Sequence, residues 1–440
     1  MRSNHWSPMA VKRTTHVSVG RRGVLGRRDF LRGISAASLA AGTLSWTDLM
    51  GLRADELRRR GMACILLWMQ GGPSQMETFD PKPDHENGGE TKAIATSVSG
   101  IQIAEGFPQL AQVMDRVALV RSMTTKEGNH QRASFLLHTG YAPTASVKHP
   151  TLGAIVASQL GDAACELPAF VRVGTRFRNA GSGGLLGVEF DPFELANPEA
   201  PPQNTTPATA EDRYRRRLGL LERIETSDAQ SADPTLVAEH QQLYQKASRM
   251  ILSPQMRVFD LDKEPAVERD AYGRTAFGSG CLLARRLVEE GVTFVEVSSS
   301  GNWDTHFDNF TRTRELAEEV DRPFAQLLTD LGQRGLLDTT LVIWMGEFGR
   351  TPRINGRGGR DHYPRAFNVA LAGGGIRGGQ VIGSTDPAGV EVADRPVAVA
   401  DLFQSFCKSL KIDASLENMS PIGRPIRIVE GGAPIDELFA

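Results

Sequence analysis

The chain has 440 residues, with 50 Lys and Arg against 52 Asp and Glu, and 45 glycines. That length suits one large α/β domain or two ordinary ones. The near balance of charge leaves no electrostatic footprint for nucleic acid, and the basic clusters at 58–60 and 215–217 read as solvated faces.

The N-terminal stretch Gly26-Arg27-Arg28-Asp29-Phe30-Leu31-Arg32 precedes a modestly apolar run of small residues, 33–44. That run is too short and too weakly hydrophobic to form a stable membrane span. Paired arginines ahead of such a run resemble a twin-arginine export signal. The expectation is therefore passage through the twin-arginine translocation machinery to the periplasm or the exterior, with residues 1–50 a leader. The pair Arg21-Arg22 lacks the completing residues. Cys64, Cys165, Cys281 and Cys407 are widely scattered and show no zinc spacing. Buried thiols are expected, and export leaves one disulfide open.

Residues 61–70 form a continuous apolar run ending at Gly71-Gly72, the pattern of a central parallel strand buried on both faces. Residues 81–95 read as a long surface loop and 107–114 as a turn or two of helix. Residues 116–121 predict a strand, 129–137 a helix start and 149–160 a second helix with Pro150 near its first turn. Another short strand is expected at 168–173. Residues 174–209, rich in Gly, Pro and Asn, predict an inserted loop able to cover a site, and 211–257 a charged helical insertion. Helices at 274–290, 310–334 and 397–410 alternate with strands at 292–297, 339–345 and 367–372. This alternation predicts a mostly parallel sheet with helices on both faces. One domain over 60–440, with an insertion at about 174–270, accommodates these elements.

Two loops concentrate metal-type ligands. The first, after the 292–297 strand, reads Asn302-Trp303-Asp304-Thr305-His306. Residues two apart in an extended segment point the same way, so Asp304 and His306 can converge on one cation, and Asp308 can join them. The second, after the 339–345 strand, carries Glu347, as a ligand, an orienting base or an ion-pair partner of Arg350, and then Asp361-His362. Arg350 and Arg360 suit a phosphate or sulfate oxyanion. His130, at an expected helix N-terminus, is open to three roles: ligand, nucleophile or general acid. His138 reads as structural, and His85 and His149 have no companions. Ligands just past the carboxyl ends of buried strands occupy the place where open α/β sheets build active sites.

Residues 336–349 resemble the late strand of the alkaline phosphatase and sulfatase superfamily, and 294–306 resembles the strand that there delivers an Asp and a His. More closely, 68–81, 128–141, 302–309, 346–352 and 359–364 resemble the DUF1501 family of exported, sulfatase-like proteins. The resemblance implies an alkaline-phosphatase-like α/β fold and a divalent metal of the zinc, calcium or manganese type. Three departures stand out. Gln70-Gly71-Gly72 replaces the first metal-binding Asp, Glu347-Phe348-Gly349 replaces Asp-His-Gly, and the nucleophile position falls on His130. They imply a single-metal or rearranged site built from Asp304, His306, Glu347, Asp361 and His362. The leading expectation is a metal-dependent hydrolase of phosphate, phosphonate or sulfate esters, with a sulfated or phosphorylated glycan as a candidate substrate. The alternative is a non-catalytic member of the fold that binds a ligand or joins a complex.

Overall fold

The computed structural model describes residues 61–439, apart from 163, 175–180, 206–208, 229–233 and 421–422. The arginine pair and apolar run at 26–44, and with them the expected leader, lie outside the described residues.

Nine strands form the main sheet: β1 (Ala63–Trp68), β2 (Val117–Thr124), β3 (Phe170–Val173), β4 (Phe193–Leu195), β5 (Phe294–Ser298), β6 (Thr340–Met345), β7 (Phe367–Ala372), β8 (Gln380–Ile382) and β9 (Val397–Ala398). Their order is β8-β2-β7-β6-β1-β5-β3-β4, with β9 also on β2. Every pairing is parallel except those of β7 with β2 and β6. The mostly parallel sheet expected from the alternation of elements is the one observed. β1 is buried at all six positions because it lies between β5 and β6 with both faces covered.

The helices are α1 (Pro108–Gln112), α2 (His130–Thr139), α3 (Leu152–Leu160), α4 (Glu211–Asp228), α5 (Pro234–Leu252), α6 (Ala266–Ala271), α7 (Ala276–Glu289), α8 (Asn309–Gln333) and α9 (Val399–Leu410). Alternation along β1 shows how they divide. Ala63, Ile65 and Leu67 pack with Leu110 of α1, Leu283 of α7 and Phe324 and Leu328 of α8. Cys64, Leu66 and Trp68 pack with Leu137 of α2, Ile155 of α3 and Phe403 and Phe406 of α9. Each buried Leu, Ile or Phe among them contributes roughly 1.5–3 kcal/mol, so the two layers anchor the sheet beneath its rim. Cys64, Cys281 and Cys407 are buried free thiols. No helix among the described residues is long and apolar enough to cross a membrane.

Two expectations need correction. The 174–209 stretch is not without regular structure, since β4 lies inside it as an edge strand on β3. Three residues cannot show a period, and β4 owes its extended form to its neighbour. Likewise, 81–95 is not all loop, because Ala93–Ala95 pairs with Gln102–Ala104 in a two-stranded ribbon.

β1, β2, β5 and β6 all end at one rim of the sheet, and β7, running the other way, begins there. Four connections therefore meet at this edge: the turn after β1 beginning at 69, 125–129 into α2, 299–308 into α8, and the β6–β7 connection, through its two ends 346–350 and 359–366.

Candidate metal centre

α2 starts where it does because Asn129 caps it, its side chain accepting from the Gln131 and Arg132 amides. That fixes His130 in the first turn, over the rim. Asp304 is brought alongside by the turn after β1. Gly71 has φ +107° and no room for a Cβ, which would lie 2.2 Å from Asn302 Oδ1 and 2.5 Å from the Asp304 nitrogen. Trp303 N–H donates to the Gln70 carbonyl at 2.8 Å, locking the two loops together. His362 and Tyr363 pair antiparallel with Arg350 and Gly349, so a two-residue ribbon carries the second loop back to the first.

Three imidazoles gather round the Asp304 carboxylate. His306 Nε2 lies 3.0 Å from Asp304 Oδ1, His362 Nε2 lies 3.3 Å from the same oxygen, and His130 Nε2 lies 3.3 Å from Oδ2. His306 Nε2 and His362 Nε2 are 3.0 Å apart. Each ring is held from behind through Nδ1: His130 by Glu347 Oε1 at 2.6 Å, His306 by Asp361 Oδ1 at 2.8 Å and His362 by the Gly128 carbonyl at 2.8 Å. Carboxylates and carbonyls only accept, so each Nδ1 carries a proton and each Nε2 is the ring atom turned to the centre, a lone pair there being available to a cation once that nitrogen is bare. Two such lone pairs 3.0 Å apart repel unless a proton or a cation lies between them. His130, Asp304 and His362 form a three-residue set whose ligand atoms all lie within 4.8 Å of one another. Phe348 packs against the rings of both His130 and His362.

The electrostatics follow from this crowding. Burial opposes charge on His130, but the Asp304 and Glu347 carboxylates outweigh it and push the ring up to about 9. Burial also opposes charge on Asp304, yet hydrogen bonds from His130 and His362 and the Arg350 guanidinium hold its carboxyl far below the usual range. The His306 hydrogen bond likewise draws Asp361 down. A cation competing for this site meets a fully ionised carboxylate, but must displace the His130 proton.

Of the residues singled out from the sequence, Asp304, His306, His362 and His130 meet at the centre. Glu347 and Asp361 stand one step behind, on the histidines. Glu347 is fully buried and also accepts the Gly71 amide at 3.0 and 3.2 Å. Asp308 is exposed and lies outside the set.

The two arginines require a correction. Arg360 is fully buried and all five of its N–H groups are taken: two by Glu77, one each by the Thr351, Pro352 and Asn87 carbonyls. No donor remains for an anion. Arg350 is also fully buried. It donates to the Gly71, Gly72 and Arg360 carbonyls and pairs with Asp304 Oδ1 at 2.5 Å. Both arginines stitch loops together because buried guanidinium groups must find acceptors. Sequence reasoning missed Glu77, Gly71 and the Gly128 carbonyl. A carboxylate within an otherwise unremarkable run, a glycine and a backbone atom carry no local signal of such roles.

The model of the protein family described as "Protein of unknown function (DUF1501)" matches residues 62–439. The chain belongs to the DUF1501 family. No curated protein matches it. Among solved structures, this DUF1501 member is similar to the PsFucS1 sulfatase from Pseudoalteromonas sp., at 16% identity and TM-score 0.40, over 84% of this chain and 71% of that one. It is similar to BT1596, a 2-O GAG sulfatase, at 12% identity and TM-score 0.38, over 86% and 74%. It is also similar to alkaline phosphatase from the Antarctic bacterium TAB5, at 14% identity and TM-score 0.35, over 79% and 98%.

Proposed function

We propose that this DUF1501 chain is an exported, metal-dependent hydrolase that cleaves phosphate or sulfate esters, those of phosphorylated or sulfated glycans included. The observation that carries the reading is the convergence of three Nε2 atoms on one carboxylate, each ring fixed through Nδ1. Bonds of about 2.0–2.1 Å to a tetrahedral zinc place neighbouring donor atoms roughly 3.3 Å apart. The spacings of 3.0 to 3.3 Å among His306, His362 and Asp304 fit that requirement. Three imidazoles and one carboxylate suit zinc more than calcium.

A divalent cation held there would act as a Lewis acid on an ester oxygen. The chain's own part is to prepare the site. Glu347, Asp361 and the Gly128 carbonyl fix the tautomers and aim the rings, as acceptors behind ligating histidines do. Arg350 steadies Asp304, and the buried Phe348 keeps water off one side of His130 and His362.

Elemental analysis of the purified protein, alongside an aryl phosphate and aryl sulfate panel with Asp304→Ala and His306→Ala, tests this. Near-stoichiometric metal and turnover, both lost in Asp304→Ala, are expected. Metal-free protein without turnover overturns the reading. Fractionation of the source cells tests export, and recovery of the whole chain in the cytoplasm overturns that part. One observation favours a non-catalytic, ligand-binding protein instead: Arg350 already supplies a positive charge at Asp304, and among the described residues no Ser, Thr or Cys side chain is hydrogen-bonded to the side chain of His130, Asp304 or His362.

A further inference from the structure

An anionic ester needs a cation to receive it, and the two arginines expected in that role are spent inside the fold. A third guanidinium sits beside the centre. Arg312, one turn into α8, donates through Nη1 to the Asp304 carbonyl at 3.1 Å and through Nη2 to the Asn302 carbonyl at 3.3 Å. It is thus tied to the main chain of the residue whose carboxylate gathers the imidazoles. Its Cζ lies 4.7 Å from the centroid of Phe307, a ring 55% exposed at the protein surface. Among the described residues no carboxylate is paired with it. Three of its five N–H groups remain uncommitted, on a side chain that is only half-buried.

From these contacts we propose that Arg312 is the residue that receives the anionic group of the substrate. Phe307 and the two carbonyls hold the guanidinium plane, so little conformational freedom is lost when an oxyanion takes the free edge. Two parallel N–H···O bonds from one planar fork match a phosphate or a sulfate alike. The inference rests on the anionic-ester reading above, but it concerns a different residue and a different readout.

The test titrates the full, metal-loaded protein with inorganic phosphate and, separately, with sulfate by calorimetry, with elemental analysis of every sample. Arg312→Ala is expected to weaken binding about 10- to 100-fold, the loss of one or two charge-assisted hydrogen bonds, with metal content unchanged. Arg312→Lys should recover part of the loss, because a point charge attracts the anion without the fork. Arg314→Ala, an exposed cation on the same helix, should bind as the parent does. Equal weakening in Arg314→Ala, unchanged binding in Arg312→Ala, or no anion binding by metal-loaded parent protein each overturns the proposal. Absence of metal in the parent overturns the hydrolase reading alone, since anion binding lost only in Arg312→Ala would still assign that role.

Discussion

Replacing Glu347 by Gln changes no volume, yet should disable the centre. The carboxylate accepts three contacts: His130 Nδ1 at 2.6 Å and the Gly71 amide at 3.0 and 3.2 Å. A glutamine has one accepting oxygen and one donating nitrogen. If the oxygen turns to Gly71, the amide NH2 faces His130 and forces its proton from Nδ1 to Nε2, the atom turned toward Asp304. If the oxygen turns to His130, the NH2 opposes the Gly71 N–H, and a buried donor is left unmet at a cost of about 1–3 kcal/mol. Either arrangement removes about 1.5–3 kcal/mol from the ligand-ready state, equivalent to a 10- to 100-fold weaker grip on zinc. Chelator competition measures the affinity. The same variant, metal-free, should titrate His130 well below the parent's value of about 9, read by NMR. Zinc affinity within twofold of the parent, together with an unmoved His130, would refute the reasoning.

Asp321 on α8 accepts the Gln109 and Leu110 amides at 2.8 Å, holding α1 from a distance, and burial pushes its carboxyl up to about 6 although those amides pull it down. A folded value above the unfolded one means stability that is full below about pH 4 and is lost as pH rises through 6, by at most on the order of 3 kcal/mol. Urea unfolding from pH 4 to 7.5 should therefore show this slope in the parent and a flatter profile in Asp321→Asn; parallel profiles contradict it. Arg360→Met strands the buried Glu77 carboxylate and should cost about 3–5 kcal/mol. Glu77→Gln in the same background should return part of that. A urea midpoint shift worth under about 1 kcal/mol would show that the pair is not the interior anchor described above.

The strands were legible because each burial environment leaves a local mark. A run buried on both faces, such as Ala63–Trp68 or Thr340–Met345, is apolar throughout, and the stripe of α8 repeats at helical spacing. The placement of the candidate site residues at the rim was legible for a related reason. Asp304, His306, Glu347, Asp361 and His362 all follow or precede such runs closely, so knowing the strands places them at one edge of the sheet.

The division of labour among those side chains was decided only by the tertiary structure. Whether a carboxylate faces the shared centre or stands behind a histidine depends on which side chain from another loop reaches it first. Glu347 lies 217 positions from His130 and 276 from Gly71. Arg350 and Arg360 have the composition of an anion clamp, but burial obliges them to satisfy carbonyls and Glu77 instead, whereas Arg312, ordinary in its helical run, keeps free donors beside the site. Local sequence sets backbone conformation and exposure over a few residues; a polar group's partner is set by packing across the whole chain, and in this protein that partner determines what the group can do.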